Sequence, residues 1–123
     1  MARFEITENI GPEVINSWQG PISADPLANY SEVIDVRHYT IHSYQIINES
    51  SNNINFNIYV SNYIDSNRNY SLDFAKHWTP IHADSITANS NVIYCDIWNF
   101  RYACIYLQGS TGSEVNLFEK HNV

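Results

Sequence analysis

The 123-residue sequence is short of basic residues: four arginines and two lysines, Lys76 and Lys120, stand against thirteen Asp and Glu, for a formal net charge of −7. No Lys/Arg cluster overrides that balance, so a phosphate backbone would be repelled and nucleic acid is excluded as an expected partner. The same field disfavours anionic membrane surfaces. No apolar run is long enough to cross a bilayer as a helix. The first residues, Met1-Ala2-Arg3-Phe4-Glu5-Ile6, lack the basic-then-apolar order of a secretory signal, which leads to an expectation of synthesis in a cytoplasm. Two cysteines, Cys95 and Cys104, are too few for a disulfide framework.

Leucine and alanine are scarce too, while isoleucine, tyrosine and asparagine abound. Helix propensity is therefore low, and β-branched and aromatic residues suit a pleated, half-buried surface. With 44% hydrophobic and 14% aromatic residues the chain can still bury a core, and its length fits one domain. Periodicity is more specific than composition. Ile54, Phe56, Ile58 and Val60 alternate with Asn55, Asn57 and Tyr59, the signature of a strand with one face buried. The runs 92–97 and 102–107 read the same way, and further strands are expected at 36–47, 78–81, 86–88 and 115–118. Asn/Ser/Gly-rich stretches at 48–53, 65–69 and 109–112 supply the turns.

The fold expected is all-β: an antiparallel two-sheet β-sandwich, jelly-roll or immunoglobulin-like, over residues 31–123. Ile54, Phe56, Ile58, Val60, Trp78, Ile81, Ile93, Ile97, Ala103, Ile105 and Leu107 are its predicted core. Residues 1–30 are expected to be irregular, because Gly11-Pro12, Gly20-Pro21 and Asp25-Pro26 interrupt pairing. Their apolar side chains, among them Ile15, Trp18, Ile22 and Leu27, could pack along the chain's own sandwich or dock as an arm on a neighbouring subunit.

Chemistry-bearing motifs fail one by one. His38 and His42 would share a metal on a helix, but on the expected strand they stand roughly 13 Å apart. His77 and His82 fall on opposite faces of a strand. Asp65-Ser66-Asn67-Arg68-Asn69-Tyr70 starts like a calcium loop, then places Tyr70 where glycine belongs and Lys76 where the bidentate glutamate belongs. Cys95 and Cys104 flank an expected hairpin with tip Trp98-Asn99-Phe100-Arg101. Matching its apolar sets puts Cys95 inside and Cys104 outside, so both thiols are expected free. No catalytic residue, cofactor or metal site is expected, and the chain is read as a non-enzyme.

Three stretches carry a resemblance: 58–62 (Ile-Tyr-Val-Ser-Asn), 78–81 (Trp-Thr-Pro-Ile), and 100–112, which alternates aromatics before closing on Gly-Ser-Thr-Gly. Together they resemble β-sandwich modules of tailed-bacteriophage virion proteins, over about two-thirds of the chain. Cys104 departs from that pattern, which often has an outward arginine there. The resemblance implies a structural or accessory role on a virion, in capsid decoration, neck, tail or baseplate. Its partners would be neighbouring virion subunits in multiple copies, met through Trp18, Ile15, Ile22, Leu27, Trp98, Phe100 and Arg101. The alternative is a carbohydrate- or receptor-binding module, whose motive is the series Tyr59, Tyr63, Tyr70, Tyr94, Tyr102 and Tyr106. Such a module would present two or three coplanar rings in one exposed groove.

Overall fold

A computed structural model describes residues 14–24 and 29–123. Among the described residues, nine strands build two antiparallel sheets. The first sheet runs in the order β1 (Val14–Ser23), β9 (Glu114–Asn122), β4 (Ile41–Asn48), β7 (Ser90–Ile97). The second orders β2 (Asn29–Tyr30), β8 (Tyr102–Gln108), β5 (Ile54–Ser61) and β6 (Thr79–Ile86), and β3 (Ile34–Asp35) pairs further along β8. Because β2 and β3 both lie against β8, they act as two halves of one interrupted strand. Eight strand positions, four to a sheet and in this order, make a jelly roll. That resolves the choice left open between jelly-roll and immunoglobulin-like sandwiches.

The core lies between the sheets. Ile54, Phe56 and Ile58 from β5 and Ile105 and Leu107 from β8 meet Tyr44 and Ile46 from β4 and Val115 and Leu117 from β9, all at most 1% exposed. A second cluster joins Val36, Val60 and Ala103. Trp78 is buried as predicted but elsewhere: it packs with Tyr102 and Cys104 on the far side of the second sheet, under the segment between β5 and β6. That segment holds the one-turn helix α1 (Phe74–His77), capped by the Asp73 carboxylate. Asp65 makes a polar turn there, its carboxylate accepting from the amides of Asn67 and Asn69.

Four expectations are corrected. Residues 14–23 are not irregular: β1 is a ten-residue strand on β9, and a register shift between Gln19 and Ile22 absorbs the Gly20-Pro21 break. The 36–47 strand starts only at Ile41, after a turn that leaves His38 exposed. Ile93 and Ile97 are not core residues; they are 63% and 74% exposed, and Val92 and Tyr94 face inward in their place. Finally, β7 and β8 are not a hairpin, because the chain crosses from one sheet to the other between them. The cysteines are free, but Cys95 is the exposed one and Cys104 the buried one. Sequence neighbours that do not pair cannot share a register, so the inside/outside assignment drawn from matching their apolar sets was reversed.

Candidate functional site: the outer face of the first sheet and the polar chain beneath it

Strand alternation sends Val14, Asn16 and Trp18 of β1, the even residues of β9 and the odd residues of β4 and β7 outward, and cross-strand register lines them up in rows. One row reads Val14, Asn122, Ile41, Ile97; the next Asn16, Lys120, Ser43, Cys95; the third Trp18, Phe118, Gln45, Ile93. Six of these twelve side chains are large hydrophobics left exposed, from 36% at Val14 to 74% at Ile97. The Trp18 and Phe118 rings lean together at 6.4 Å. Below them a shallow depression of about 360 Å³ is lined by Asn16, Ser43, Gln45 and Lys120 among others. None of the twelve is a carboxylate, although the chain has thirteen. Glu49 stands at one end of the face, where it accepts a hydrogen bond from Asn116. Scattered surface leucines or isoleucines need no explanation, but contiguous apolar rows without a carboxylate do.

The inward residues of the same strands hold a buried polar chain. His42 on β4 and His121 on β9 are direct cross-strand partners, each fully buried, with their Nδ1 atoms 2.8 Å apart. His42 Nε2 lies 3.0 Å from the Trp98 carbonyl, and the Trp98 ring stacks on the imidazole at 3.4 Å. His121 Nε2 lies 3.0 Å from Glu119 Oε1, and the Gln19 amide on β1 donates to Glu119 Oε2 at 2.8 Å. Glu119 is only 4% exposed.

The partners fix the protons. A carbonyl can only accept, so His42 Nε2 carries hydrogen and neutral His42 presents a bare Nδ1. His121 Nδ1 must then donate, and its Nε2 shares a proton with Glu119. The Gln19 orientation is itself set, since its Oε1 accepts from the Glu32 amide at 2.7 Å. Gln19 therefore aims its amide donor at Glu119, whose Oε2 accepts it. His42 has to stay neutral, because a second proton would set two N–H groups against each other. Burial pulls its pKa down to about 4, and the neighbouring His121 charge adds to that against the raising effect of the Trp98 carbonyl. This arrangement holds a proton in place. It presents no group to a substrate, because Trp98 and the sheet close over it.

The remaining expected contact residues are dispersed. Ile22 packs at the edge of the core, and Ile15 is half-buried opposite His121. Phe100 covers the Val36–Val60–Ala103 cluster, and Trp98 bridges that cluster and the main core. The Arg101 amide donates to Asn62, with its guanidinium 6.0 Å over the Tyr102 ring. Leu27 lies outside the described residues. Only Trp18, at 60% exposure, stands free to meet a partner. The sequence reading missed Ile41, Phe118, Ile93 and Ile97 as its companions.

The tyrosines do not form the open platform a sugar would need. Tyr30 stacks on Phe74 at 4.4 Å, Tyr59 and Tyr106 meet edge-on, Tyr63 stacks on His77 and Tyr94 on His82. The rings cover one another instead of presenting a shared exposed plane. Among the described residues no group of three or more His, Cys, Asp and Glu side chains is placed to hold a metal ion, and no helix is long and apolar enough to cross a membrane.

No protein-family model matches the chain, and no curated protein does either. Solved structures match its fold. PirA, described as "Crystal structure of PirA", aligns over 92% of this chain and 95% of its own at TM-score 0.50 and 8% identity. A structure described as "Bacillus endospore appendages form a novel family of disulfide-linked pili" aligns over 89% of this chain and 88% of its own, at TM-score 0.50 and 9% identity. At such identities the likeness is one of β-sandwich architecture.

Proposed function

We propose that this chain is a non-enzymatic structural subunit that binds neighbouring protein subunits in a repeated assembly, of the bacteriophage-virion kind to which its sequence resemblance points. The observation that carries the reading is the outer face of the β1-β9-β4-β7 sheet. Six exposed hydrophobics lie there in three adjacent rows that hold no carboxylate, on a protein whose net charge is −7. A face of this make-up is costly to leave in water and fits a protein surface, with Trp18 as the anchor. Exposed tryptophans that become buried at an interface are frequent hot spots, and truncating one typically costs at least about 2 kcal/mol of binding. The sandwich shared with an endospore pilus structure is compatible with such a building block.

The test is incorporation. A tagged copy produced alongside the native particles should sediment with them, and Trp18→Ala should move it to the unsedimented fraction while leaving its melting temperature unchanged. A tagged chain that never sediments, or a Trp18→Ala variant that incorporates as well as wild type, would overturn the proposal.

A further inference from the structure

The row pattern of that face also identifies an occupant: we infer that it pairs with a second copy of itself, face to face about a two-fold axis running along the strands between β9 and β4. This rests on the reading of the face as a subunit contact and names the partner. An axis in that position swaps β1 with β7 and β9 with β4 while keeping each row level. In the third row Trp18 then lies over the partner copy's isoleucine at 93, and Phe118 lies over glutamine 45. In the first row Val14 meets the isoleucine at position 97. In the middle row Lys120 lies over the serine at position 43, and the two Lys120 backbones stand diagonally about 11 Å apart across the gap.

The halves of the face are complementary in kind. The β1-β9 half carries the two rings, and the β4-β7 half carries three isoleucines, Ile41, Ile93 and Ile97, two of them more than 60% exposed. Charge allows the approach, because no carboxylate lies within the three rows, where Lys120 is the one charged side chain: Glu119 points inward, Glu49 is hydrogen-bonded at the rim, and Glu114 stands beyond the rows at the far end of β9. Four strands about 4.8 Å apart and paired over about eight residues at about 3.4 Å each give roughly 520 Å² per copy, or about 1,040 Å² in all. That barely clears the roughly 1,000 Å² a specific contact needs, which indicates a weak, reversible dimer that an assembly would reinforce.

Cross-linking reads the geometry. Asn16 and Cys95 share a row at opposite edges of one sheet, roughly 14 Å apart, but the two-fold places each over the other in the partner copy, across sheets about 10 Å apart. A short bismaleimide should therefore join Asn16→Cys chains into covalent dimers through the native Cys95, while wild type, whose two Cys95 thiols lie far apart in the pair, should give almost none. Adding Ile93→Lys should reduce the dimer yield about tenfold and raise the dissociation constant from sedimentation equilibrium by a similar factor, with thermal stability unchanged. Cross-linking of wild type through Cys95 alone, or no dimer from Asn16→Cys at millimolar protein, would overturn the pairing. The particle assay separates the two readings. A monomeric chain that still incorporates through Trp18 would sink the self-pairing alone, and a dimer that never sediments with particles would sink the assembly role alone.

Discussion

Lowering the pH perturbs one buried group in a way that the hydrogen bonds specify. His42 is held neutral between the His121 N–H and the Trp98 carbonyl, with Asp96 on β7 as the nearby acid and the Tyr39 backbone beside it, while Glu119 and the Tyr44 ring meet His121. Its pKa is about 4 in the folded chain against 6.5 when unfolded. A depressed folded value means that the unfolded chain binds the proton first. The stabilisation is thus fully present above pH 6.5, is lost as pH falls toward about 4, and changes no further below that. The full shift corresponds to about 3 kcal/mol, of which about 2 kcal/mol falls between pH 7 and pH 4.5. Against a domain stability of about 5–15 kcal/mol that is a large fraction. Urea unfolding at the two pH values measures it, with His42→Gln as the reference. Glutamine can accept from His121 and donate to Trp98 yet cannot titrate, so the variant should lose about 2 kcal/mol less than wild type on acidification. Equal losses in the two proteins would refute the assignment of His42 as the acid-sensitive member of the chain.

Other expectations follow from the same structure. Phe56 is 1% exposed at the centre of the core, so Phe56→Ala should cost about 3–5 kcal/mol in a urea melt. The Tyr44 hydroxyl is buried without a hydrogen-bond partner among the described residues; Tyr44→Phe should leave stability unchanged or raise it by up to about 1 kcal/mol, and a fall of that size would reveal a partner. Cys95 is exposed, whereas burial pushes the Cys104 thiol up to about 12 and Ser31 holds it by hydrogen bonds. A thiol reagent should therefore titrate one cysteine in the native protein and the second only on unfolding.

The architecture was legible where alternation ran clean. Ile54, Phe56, Ile58 and Val60, with Ala103, Ile105 and Leu107, announced two buried strands, and both sets face the core. Legibility failed where both faces of a strand carry hydrophobics. In β7, Val92 and Tyr94 compete with Ile93 and Ile97, and the register of β7 on β4, which sets Val92 and Tyr94 level with buried Ile46 and Tyr44, decides which set turns inward. It failed again where the inner face is polar. In β9 the buried series Val115, Leu117, Glu119, His121 stops looking like a strand after Leu117, so the expected strand ended at Phe118, four residues before the observed one. The His42–His121 contact joins residues 79 apart in sequence and exists only through β4–β9 register. No spacing motif could have announced it. The docking face was missed for a related reason: its apolar residues come from four strands, and each strand contributes only one or two.

Particle sedimentation of two opposed surface variants tests the central claim most directly. Ile93→Lys with Ile97→Lys alters the outer face of the first sheet, and Gln108→Lys alters an exposed position on the outer face of the second. The account predicts that the double variant, folded and equally stable, is lost from the particle fraction while Gln108→Lys incorporates like wild type. Equal incorporation of both, or loss of Gln108→Lys alone, would contradict the assignment of the β1-β9-β4-β7 face as the surface by which this protein joins its neighbours.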